Sequence, residues 1–213
     1  MDDRLVRDSV RRSYDTVAEE YTARLRDELD GKPLDRALLT ALTEQAEPGT
    51  PVADLGCGPG HVAGWLAARG VKAVGVDLSP AMVAVGTREF PGVDFREGDL
   101  LALPAADGEF GAAVALYSVI HLGPAELGRA FAEIRRTLRP SGLLLVSFHA
   151  GSEVRHLDEW WGHAVDIDFR FLDPGHVAEV LEEAGFVVEM RMERAHYPAE
   201  AETRRAYLLA RRV

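Results

Sequence analysis

The spacing of hydrophobic positions changes at about residue 50 of the chain. Between residues 2 and 28 the apolar side chains recur three and four apart, which predicts an amphipathic helix. A break at 30–33, "DGKP", precedes a second helical pattern that extends to about Gln45. Beyond it, short apolar runs alternate with helical patterns, which predict strands at 51–56, 71–77, 92–97, 110–118 and 142–149 and helices at 61–69, 80–88 and 124–138.

The ending of this alternation completes the predicted fold. A helix at 174–184 is followed by strand patterns at 186–194 and 204–212 with no helix between them, which predicts an antiparallel pair closing the sheet. Residues 150–172 fit no repeat of the strand–helix unit and form an insertion. The expected fold is α/β: a doubly wound, mostly parallel, Rossmann-like sheet of seven strands with an antiparallel last strand, an N-terminal helical cap and a short insertion after strand 5.

Composition and charge narrow the classes of partner. The chain has 213 residues, 47% of them hydrophobic, and a formal net charge of −11, which repels phosphate backbones and makes nucleic acid a poor partner. No apolar run approaches the roughly 20 residues that a membrane span requires. The charged N-terminus "MDDRLVRDSV" and the single cysteine, Cys57, favour a cytoplasmic location. A small or cationic ligand therefore fits better than nucleic acid or a membrane.

A glycine-rich segment follows the first predicted strand, in "VADLGCGPG" at 52–60. Gly56, Gly58 and Gly60 allow positive φ and a close approach of backbone to a ligand. Asp77 ends the second predicted strand, where a carboxylate can accept hydrogen bonds from ribose hydroxyls. The spacing is G-x-G-x-G rather than G-x-G-x-x-G, and the preceding Asp54 disfavours a pyrophosphate and favours a cation. The pattern predicts a cationic ligand that carries a nucleoside.

At these motifs the chain resembles the class I S-adenosylmethionine-dependent methyltransferases. The segments "ADLGCGPG", "VGVDLSPAMVAVG", "EGDLLALP", "FGAAVALYSVIHL" and "LRPSGLLLVSFH" match that family's motifs in order and spacing. The resemblance covers about residues 10–149 well and the closing helix and strand more loosely. It implies S-adenosyl-L-methionine as cofactor and S-adenosyl-L-homocysteine as product. It also implies one domain over 1–213, with a helical cap at 1–46, a cofactor-binding core at 47–149, an acceptor-site insertion at 150–172 and a C-terminal unit at 173–213.

The resemblance also implies roles for individual residues. Asp54 is expected near the methionine ammonium, Asp77 on the ribose diol and Asp99 at the adenine amino group. Tyr21, like Tyr14, is expected to face the transferred methyl group, or else both tyrosines anchor the first helix in the core. The other expected cofactor-binding residues are Gly56, Cys57, Gly58 and Gly60 around the methionine moiety, Leu78, Met82, Gly98 and Leu100 around the adenine, and Tyr117 and Ser118 beside the sulfonium.

Three residues are candidates for the chemistry at the acceptor. Methyl transfer from a sulfonium is an in-line displacement, and a protonated acceptor also needs a base near neutral pH. His121, His149 and Tyr14 are the candidates for that base, and His121 is also expected to contact the acceptor. The alternatives are that His121 caps the next helix and that His149 is a satisfied residue at the sheet edge.

The insertion supplies the expected acceptor pocket. Trp160 and Trp161 are predicted to form its apolar walls, the alternative being that they fix the insertion to the cap or form a homodimer contact. His149, His156 and His163 recur every seven residues, but without H-x-x-x-H spacing they do not predict a metal site.

The sequence therefore predicts a methyltransferase that acts on a small-molecule acceptor. The absence of an N/D-P-P-Y motif after the fourth predicted strand and the acidic charge make an RNA or protein methyltransferase the less favoured reading. A protein that binds the cofactor for regulation without transferring methyl stays open, as does, more weakly, a nicotinamide oxidoreductase. The acceptor and the methylated element are left open.

Overall fold

The structure is a computed structural model that describes residues 3–213. Its first two helices cover one edge of the protein. Helix α1 spans Asp3–Leu25, a single 3-10 turn spans Glu28–Gly31, and helix α2 spans Pro33–Gln45. Val17 and Ala18 of α1 are buried and pack against residues of the helix that follows the second strand. The two predicted helices are present, and α1 lies over the sheet as a cap.

A seven-stranded sheet forms the centre of the molecule. Its strands are β1 Val52–Leu55, β2 Ala73–Asp77, β3 Asp94–Glu97, β4 Phe110–Leu116, β5 Leu138–His149, β8 Phe186–Arg194 and β9 Arg205–Arg212, in the spatial order β3-β2-β1-β4-β5-β9-β8. Strands β1 to β5 pair in parallel, whereas β9 runs antiparallel to both β5 and β8. The predicted fold class is confirmed, and the last strand lies between β5 and β8 rather than at the edge.

Helices cover both faces of this sheet and fix which side chains enter each core. They are α3 His61–Ala67, α4 Pro80–Glu89, α5 Pro124–Thr137 and α6 Pro174–Glu183. On β4, Ala113 packs in the core under α5 and α6, while its neighbour Val114 packs in the core under α2 and α3. Successive strand residues point to opposite faces, so a strand buried on both faces reads as one continuous apolar run. Ser79 caps α4, its Oγ accepting from Met82 N at 3.1 Å.

The insertion forms a hairpin, which the sequence did not reveal. Strand β6 spans Val154–Trp160 and β7 spans His163–Arg170, and within residues 3–213 they pair with each other and with no other strand. Trp161 (φ 54°) and Gly162 (φ 83°) form the two-residue turn, which needs positive φ at both positions. Tryptophan rarely adopts that conformation, so the turn carries no ordinary sequence signal. The hairpin lies against α1, where Asp166 N donates to Ser13 Oγ at 3.0 Å.

Two strand boundaries also differ from the predictions. Strand β4 ends at Leu116 rather than 118, because Tyr117 leaves the strand with φ 56°. Strand β5 begins at Leu138, four residues before the predicted start, directly after α5. Within residues 3–213, no helix has both the length and the apolar character that crossing a membrane would require.

Candidate functional site

A cavity of about 820 Å³ opens at the carboxyl ends of β1, β2, β4 and β5, beneath α1 and the hairpin. This is the edge at which open parallel sheets bind ligands, and the volume lies in the range of small-molecule sites. The cavity wall includes every predicted site residue except Gly60 and Met82. The parallel strands therefore bring together side chains that are far apart in sequence.

The structure places Gly60 and Met82 outside the cavity wall. Gly60 is the N-cap residue that precedes α3, with φ 82°, and lies against the ring of Phe95. Met82 is fully buried and packs with Val17 and Val85 under the cap. Helix α1 covers the first turn of α4 and packs against the Met82 side chain. That side chain is therefore not exposed to the cavity, where the sequence analysis expected it to contact the adenine.

Gly56 turns the chain sharply at the end of β1. Its N–H and that of Cys57 both donate to Val76 O, at 2.7 and 3.0 Å. Gly56 has φ 70°, and a Cβ at this position would lie 2.2 Å from Ser118 Cβ. The Cys57 thiol is buried and its pKa is raised by that burial, so it offers no thiolate. At Gly56 the turn therefore exposes backbone atoms to the cavity, with no side chain in front of them.

Asp77 is held in one orientation by backbone donors. Its Oδ2 accepts from Gly58 N at 2.7 Å and its Oδ1 accepts from Ser79 N at 2.9 Å. Burial raises its pKa to about 6, while the two N–H groups oppose that shift. A carboxylate fixed at both oxygens keeps a lone pair on each for ligand hydroxyls.

Asp54 is less completely paired than Asp77. Its Oδ2 accepts from Ala63 N at 3.0 Å, while Oδ1 accepts no hydrogen bond from any residue that the structure describes. Burial raises its pKa to about 7, opposed by His61 and the Ala63 N–H. A buried, half-paired carboxylate gains most from a cationic ligand, because the cation supplies the charge that burial removed from water.

Asp99 lies two residues after the end of β3, with Gly98 and Leu100 beside it in the cavity wall. Its Oδ1 accepts from Leu101 N at 2.9 Å, and its Oδ2 lies 3.3 Å from Nε of Arg7. Arg7 also pairs with Glu126. The N-terminal helix thus reaches this carboxylate, a contact that the sequence did not indicate.

Tyr14 and His121 form a hydrogen-bonded pair in the cavity wall. Tyr14 Oη lies 2.8 Å from His121 Nε2, and His121 Nδ1 lies 2.9 Å from the carbonyl oxygen of Asp168. The carbonyl can only accept, so Nδ1 carries the proton and Nε2 accepts from the Tyr14 hydroxyl. Burial lowers the His121 pKa to about 4, so the ring is neutral at pH 7. Burial also raises the Tyr14 pKa.

Aromatic rings from α1 and the hairpin join above this pair. Trp160 makes edge contacts with Tyr14 and Tyr21, both at 5.7 Å between ring centroids. It stacks on Trp161 at 4.8 Å and meets Phe169 at 5.4 Å. The two tryptophans line the cavity and at the same time hold the hairpin against the cap, so the two alternatives weighed for them are compatible.

His149 lies on the other side of the cavity, at the end of β5. Its ring stacks on Phe171 and lies 5.0 Å from the ring of Tyr117. Its Nδ1 is 2.8 Å from Thr203 Oγ1, and burial, with Arg205 nearby, lowers its pKa to about 4. His149 is therefore neutral and faces the cavity beside Tyr117.

One group of cavity residues was missed by sequence reasoning. Lys32 pairs with Glu28 at 2.6 Å, and the same carboxylate accepts from His61 Nε2 at 2.7 Å. Glu200, in the segment before β9, and Arg205, the first residue of β9, also line the cavity, with Arg205 Nε 3.2 Å from Glu200. These residues come from both ends of the chain and share no motif, so only the packing of the cap against the C-terminal strands reveals them.

The histidines of the insertion do not converge. His149 ends β5, His156 lies on β6 and His163 on β7. His156 pairs with Asp168 at 3.0 Å on the outer part of the hairpin. In the described part of the chain no three histidine, cysteine or carboxylate side chains are placed to hold one metal ion.

Comparison with known proteins gives consistent results. A family model described as a methyltransferase domain matches residues 52–142. The demethylmenaquinone methyltransferase of Beutenbergia cavernae is 41% identical over 53% of this chain and 45% of its own length. The magnesium-protoporphyrin O-methyltransferase of Rhodobacter capsulatus is 30% identical over 62% of this chain and 65% of its own length. The chain thus spans less than two thirds of either relative.

A solved structure resembles the whole fold. A crystal structure of an S-adenosylmethionine-dependent methyltransferase from Methanosarcina mazei superposes with a TM-score of 0.73, over 81% of this chain and 97% of that one, at 14% identity. At that identity the likeness concerns the fold. Residues 52–142 therefore match a methyltransferase domain, and the chain is similar in sequence to named methyltransferases and in fold to a solved S-adenosylmethionine-dependent methyltransferase.

Proposed function

We propose that this protein transfers a methyl group from S-adenosylmethionine to a small-molecule acceptor. The observation that carries the proposal is that one cavity holds both the carboxylates at the ends of β1 and β2 and the Tyr14–His121 pair. The matched relatives whose names state a menaquinone precursor or a magnesium porphyrin as substrate support an acceptor of small-molecule size.

At the cofactor end, each carboxylate has a distinct role in the proposal. Asp77, fixed by Gly58 N and Ser79 N, accepts hydrogen bonds from the ribose hydroxyls. Asp54, with one unpaired oxygen, pairs with the methionine ammonium. The backbone at Gly56 admits the methionine chain, and Leu78 and Leu100 flank the adenine. Bound here, the cofactor supplies an electrophilic methyl group.

At the acceptor end, the Tyr14–His121 pair accepts the proton that the acceptor loses. Tyr14 Oη can accept from an acceptor hydroxyl or amine while donating to Nε2 of His121. The Asp168 carbonyl holds the ring in the tautomer whose Nε2 is free to receive a proton. A neutral buried imidazole is a weak base, but the positive charge that leaves sulfur is replaced by the one that appears on the ring. The charge of the cavity therefore stays constant through the transfer.

The first experiment separates cofactor binding from pyrophosphate binding. Calorimetry with S-adenosylhomocysteine and, separately, with NAD is expected to give heat with the first alone, and Asp77→Asn should weaken that binding on the order of tenfold or more. Tight NAD binding without S-adenosylhomocysteine binding would overturn the proposal.

The second experiment separates transfer from binding alone. Single-turnover formation of S-adenosylhomocysteine is measured with a panel of phenols, quinols, carboxylic acids and amines. Tyr14→Phe is expected to slow turnover with the best acceptor on the order of a hundredfold while S-adenosylhomocysteine affinity is retained. Arg88→Gln, at an exposed ion pair with Glu19, is the matched control. Binding of the cofactor with no turnover on any acceptor would favour a protein that binds it for regulation.

A further inference from the structure

The hydrogen-bonding groups on the β4–β5 side of the cavity are mostly donors. Lys32, Tyr117 and His149, which we call the donor cluster, all line this side. Lys32 Nζ lies 5.5 Å from the centre of the Tyr117 ring, and the Tyr117 and His149 rings lie 5.0 Å apart. Three side chains from three separate parts of the chain therefore point donors at one region.

Tyr117 holds an unusual conformation to reach this region. Of the residues that the structure describes, it is one of three non-glycine residues with positive φ, at 56°, and it directly follows β4. Its hydroxyl is buried and, among the described residues, has no hydrogen-bond partner. The neighbouring Tyr207 hydroxyl donates to Asp35 at 3.1 Å and accepts from Arg194 Nε at 3.0 Å, and it lies outside hydrogen-bonding geometry to Tyr117. A strained residue with an unsatisfied buried hydroxyl indicates a ligand partner.

His149 presents a donor to the cavity. The Thr203 hydroxyl accepts from the Arg205 guanidinium at 3.0 Å, so its own proton is free for His149 Nδ1 at 2.8 Å. Because the ring is neutral, Nδ1 as acceptor leaves the single proton on Nε2. Nε2 has no partner within the described chain, so in this tautomer His149 offers a donor to the cavity.

The acids near the donor cluster already have partners. Glu28 is shared between Lys32 at 2.6 Å and His61 at 2.7 Å. Glu200 lies 3.9 Å from Lys32 but is bound by Arg194 at 2.6 Å. The oxygens that satisfy the remaining N–H and O–H groups therefore come from a bound ligand, or from water when no ligand is bound.

We propose that the donor cluster binds a carboxylate of the methyl acceptor, so that the protein acts on acidic acceptors. This inference rests on the proposed function. Glu28 already compensates part of the Lys32 charge, so this ammonium with two neutral donors suits a singly charged carboxylate, whereas a phosphate dianion would need more cations. Tyr117 follows β4 and His149 ends β5, while Asp77 ends β2, which lies two strands from β4 and three from β5 in the order β2-β1-β4-β5. At about 4.8 Å per strand, the carboxylate subsite lies about 10–14 Å from the ribose subsite.

The test compares benzoate with benzamide, which have the same shape but differ in charge. Their affinities for the protein loaded with S-adenosylhomocysteine are measured by calorimetry or by ligand-observed NMR. Benzoate is expected to bind the wild-type protein at least about tenfold more tightly, and Tyr117→Phe and Lys32→Met should each remove most of that difference. Lys72→Met is the matched control, because Lys72 is an exposed lysine that precedes β2 at the opposite edge of the sheet.

Further variants and probes fix the chemistry. His149→Gln keeps an amide N–H in place of Nε2–H and should retain the preference for benzoate, whereas His149→Leu should lose it. Phenyl phosphate is expected to bind no better than benzamide; tighter binding than benzoate would overturn the carboxylate assignment. Equal affinity of wild type for benzoate and benzamide would overturn the proposal, as would an unchanged preference in both Lys32→Met and Tyr117→Phe.

The cofactor's own carboxylate is the competing ligand for Lys32. If Lys32→Met weakens S-adenosylhomocysteine binding tenfold and benzoate competes with S-adenosylhomocysteine, the donor cluster belongs to the cofactor and the proposal fails. If the protein binds no S-adenosylhomocysteine at all, the proposed function fails instead. The benzoate and benzamide comparison on the free protein then still decides whether the carboxylate subsite exists.

Discussion

A side chain at Gly56 should lower both the unfolding free energy of the protein and its affinity for the cofactor. Alanine substitutions at three glycines separate the physical causes of these losses. Gly92 has no atom within 4 Å of an added Cβ, and its φ is not positive. Gly49 has φ 78° but the same free space, and Gly56 has φ 70° and a Cβ position 2.2 Å from Ser118 Cβ. Alanine at Gly92 therefore meets no constraint, alanine at Gly49 meets backbone strain alone, and alanine at Gly56 meets backbone strain together with a steric clash.

The magnitudes follow from these two terms. A non-glycine residue at positive φ costs about 1–2 kcal/mol, which is the expected loss for Gly49→Ala. The clash at Gly56 adds about 1–3 kcal/mol, because Ser118 Cβ is attached to the backbone and cannot rotate away. Gly56→Ala should therefore lose about 2–5 kcal/mol of unfolding free energy, and Gly92→Ala should change it by less than about 0.5 kcal/mol.

Urea or guanidinium unfolding measures the stabilities, and calorimetry with S-adenosylhomocysteine measures the site. Gly56→Ala should also lose cofactor affinity because Ser118 must move, while Gly49→Ala, at the opposite edge of the sheet, should keep it. The reasoning is refuted if Gly56→Ala is no less stable than Gly49→Ala, or if it binds S-adenosylhomocysteine as the wild type does.

Three further predictions concern the charged and aromatic groups of the cavity. Burial raises the pKa of Asp54 to about 7, so S-adenosylhomocysteine binding should release a proton at pH 6 and should strengthen as the pH rises to 8. Calorimetry in buffers of different ionisation enthalpy measures this proton release. The Asp54→Asn variant should show neither the proton release nor the pH dependence. Burial also raises the pKa of Asp77 to about 6, above its value in the unfolded chain. The contribution of Asp77 to the stability of the free protein is therefore present below pH 4 and is lost as the pH rises through 6. Denaturant unfolding should show that the stability of Asp77→Asn changes less between pH 4 and pH 7 than that of the wild type. Trp160→Ala, which removes a half-buried ring joining α1 to the hairpin, should cost about 2–4 kcal/mol in unfolding free energy and speed amide exchange in the hairpin, whereas an unchanged exchange rate would contradict the packing role.

The sequence by itself determined the sheet and the positions of the residues that we propose to bind the cofactor. Asp54, Gly56 and Asp77 each stand at the end of a short apolar run, and the direction of a parallel sheet brings such ends to one edge. Ser79 likewise caps α4 through contacts only three residues long. These features depend on local backbone conformation and on periodicity, which are properties of contiguous residues.

Only the tertiary structure decided how the rest of the cavity is closed. Tyr14 meets His121 across 107 residues of chain, and Asp35 meets Tyr207 across 172, with no motif linking either pair. The hairpin turn at Trp161 follows from packing that stabilises an unfavourable φ, and Met82 was drawn away from the cavity because α1 covers it. Such contacts depend on the volume and orientation of whole elements, which spacing along the chain does not encode.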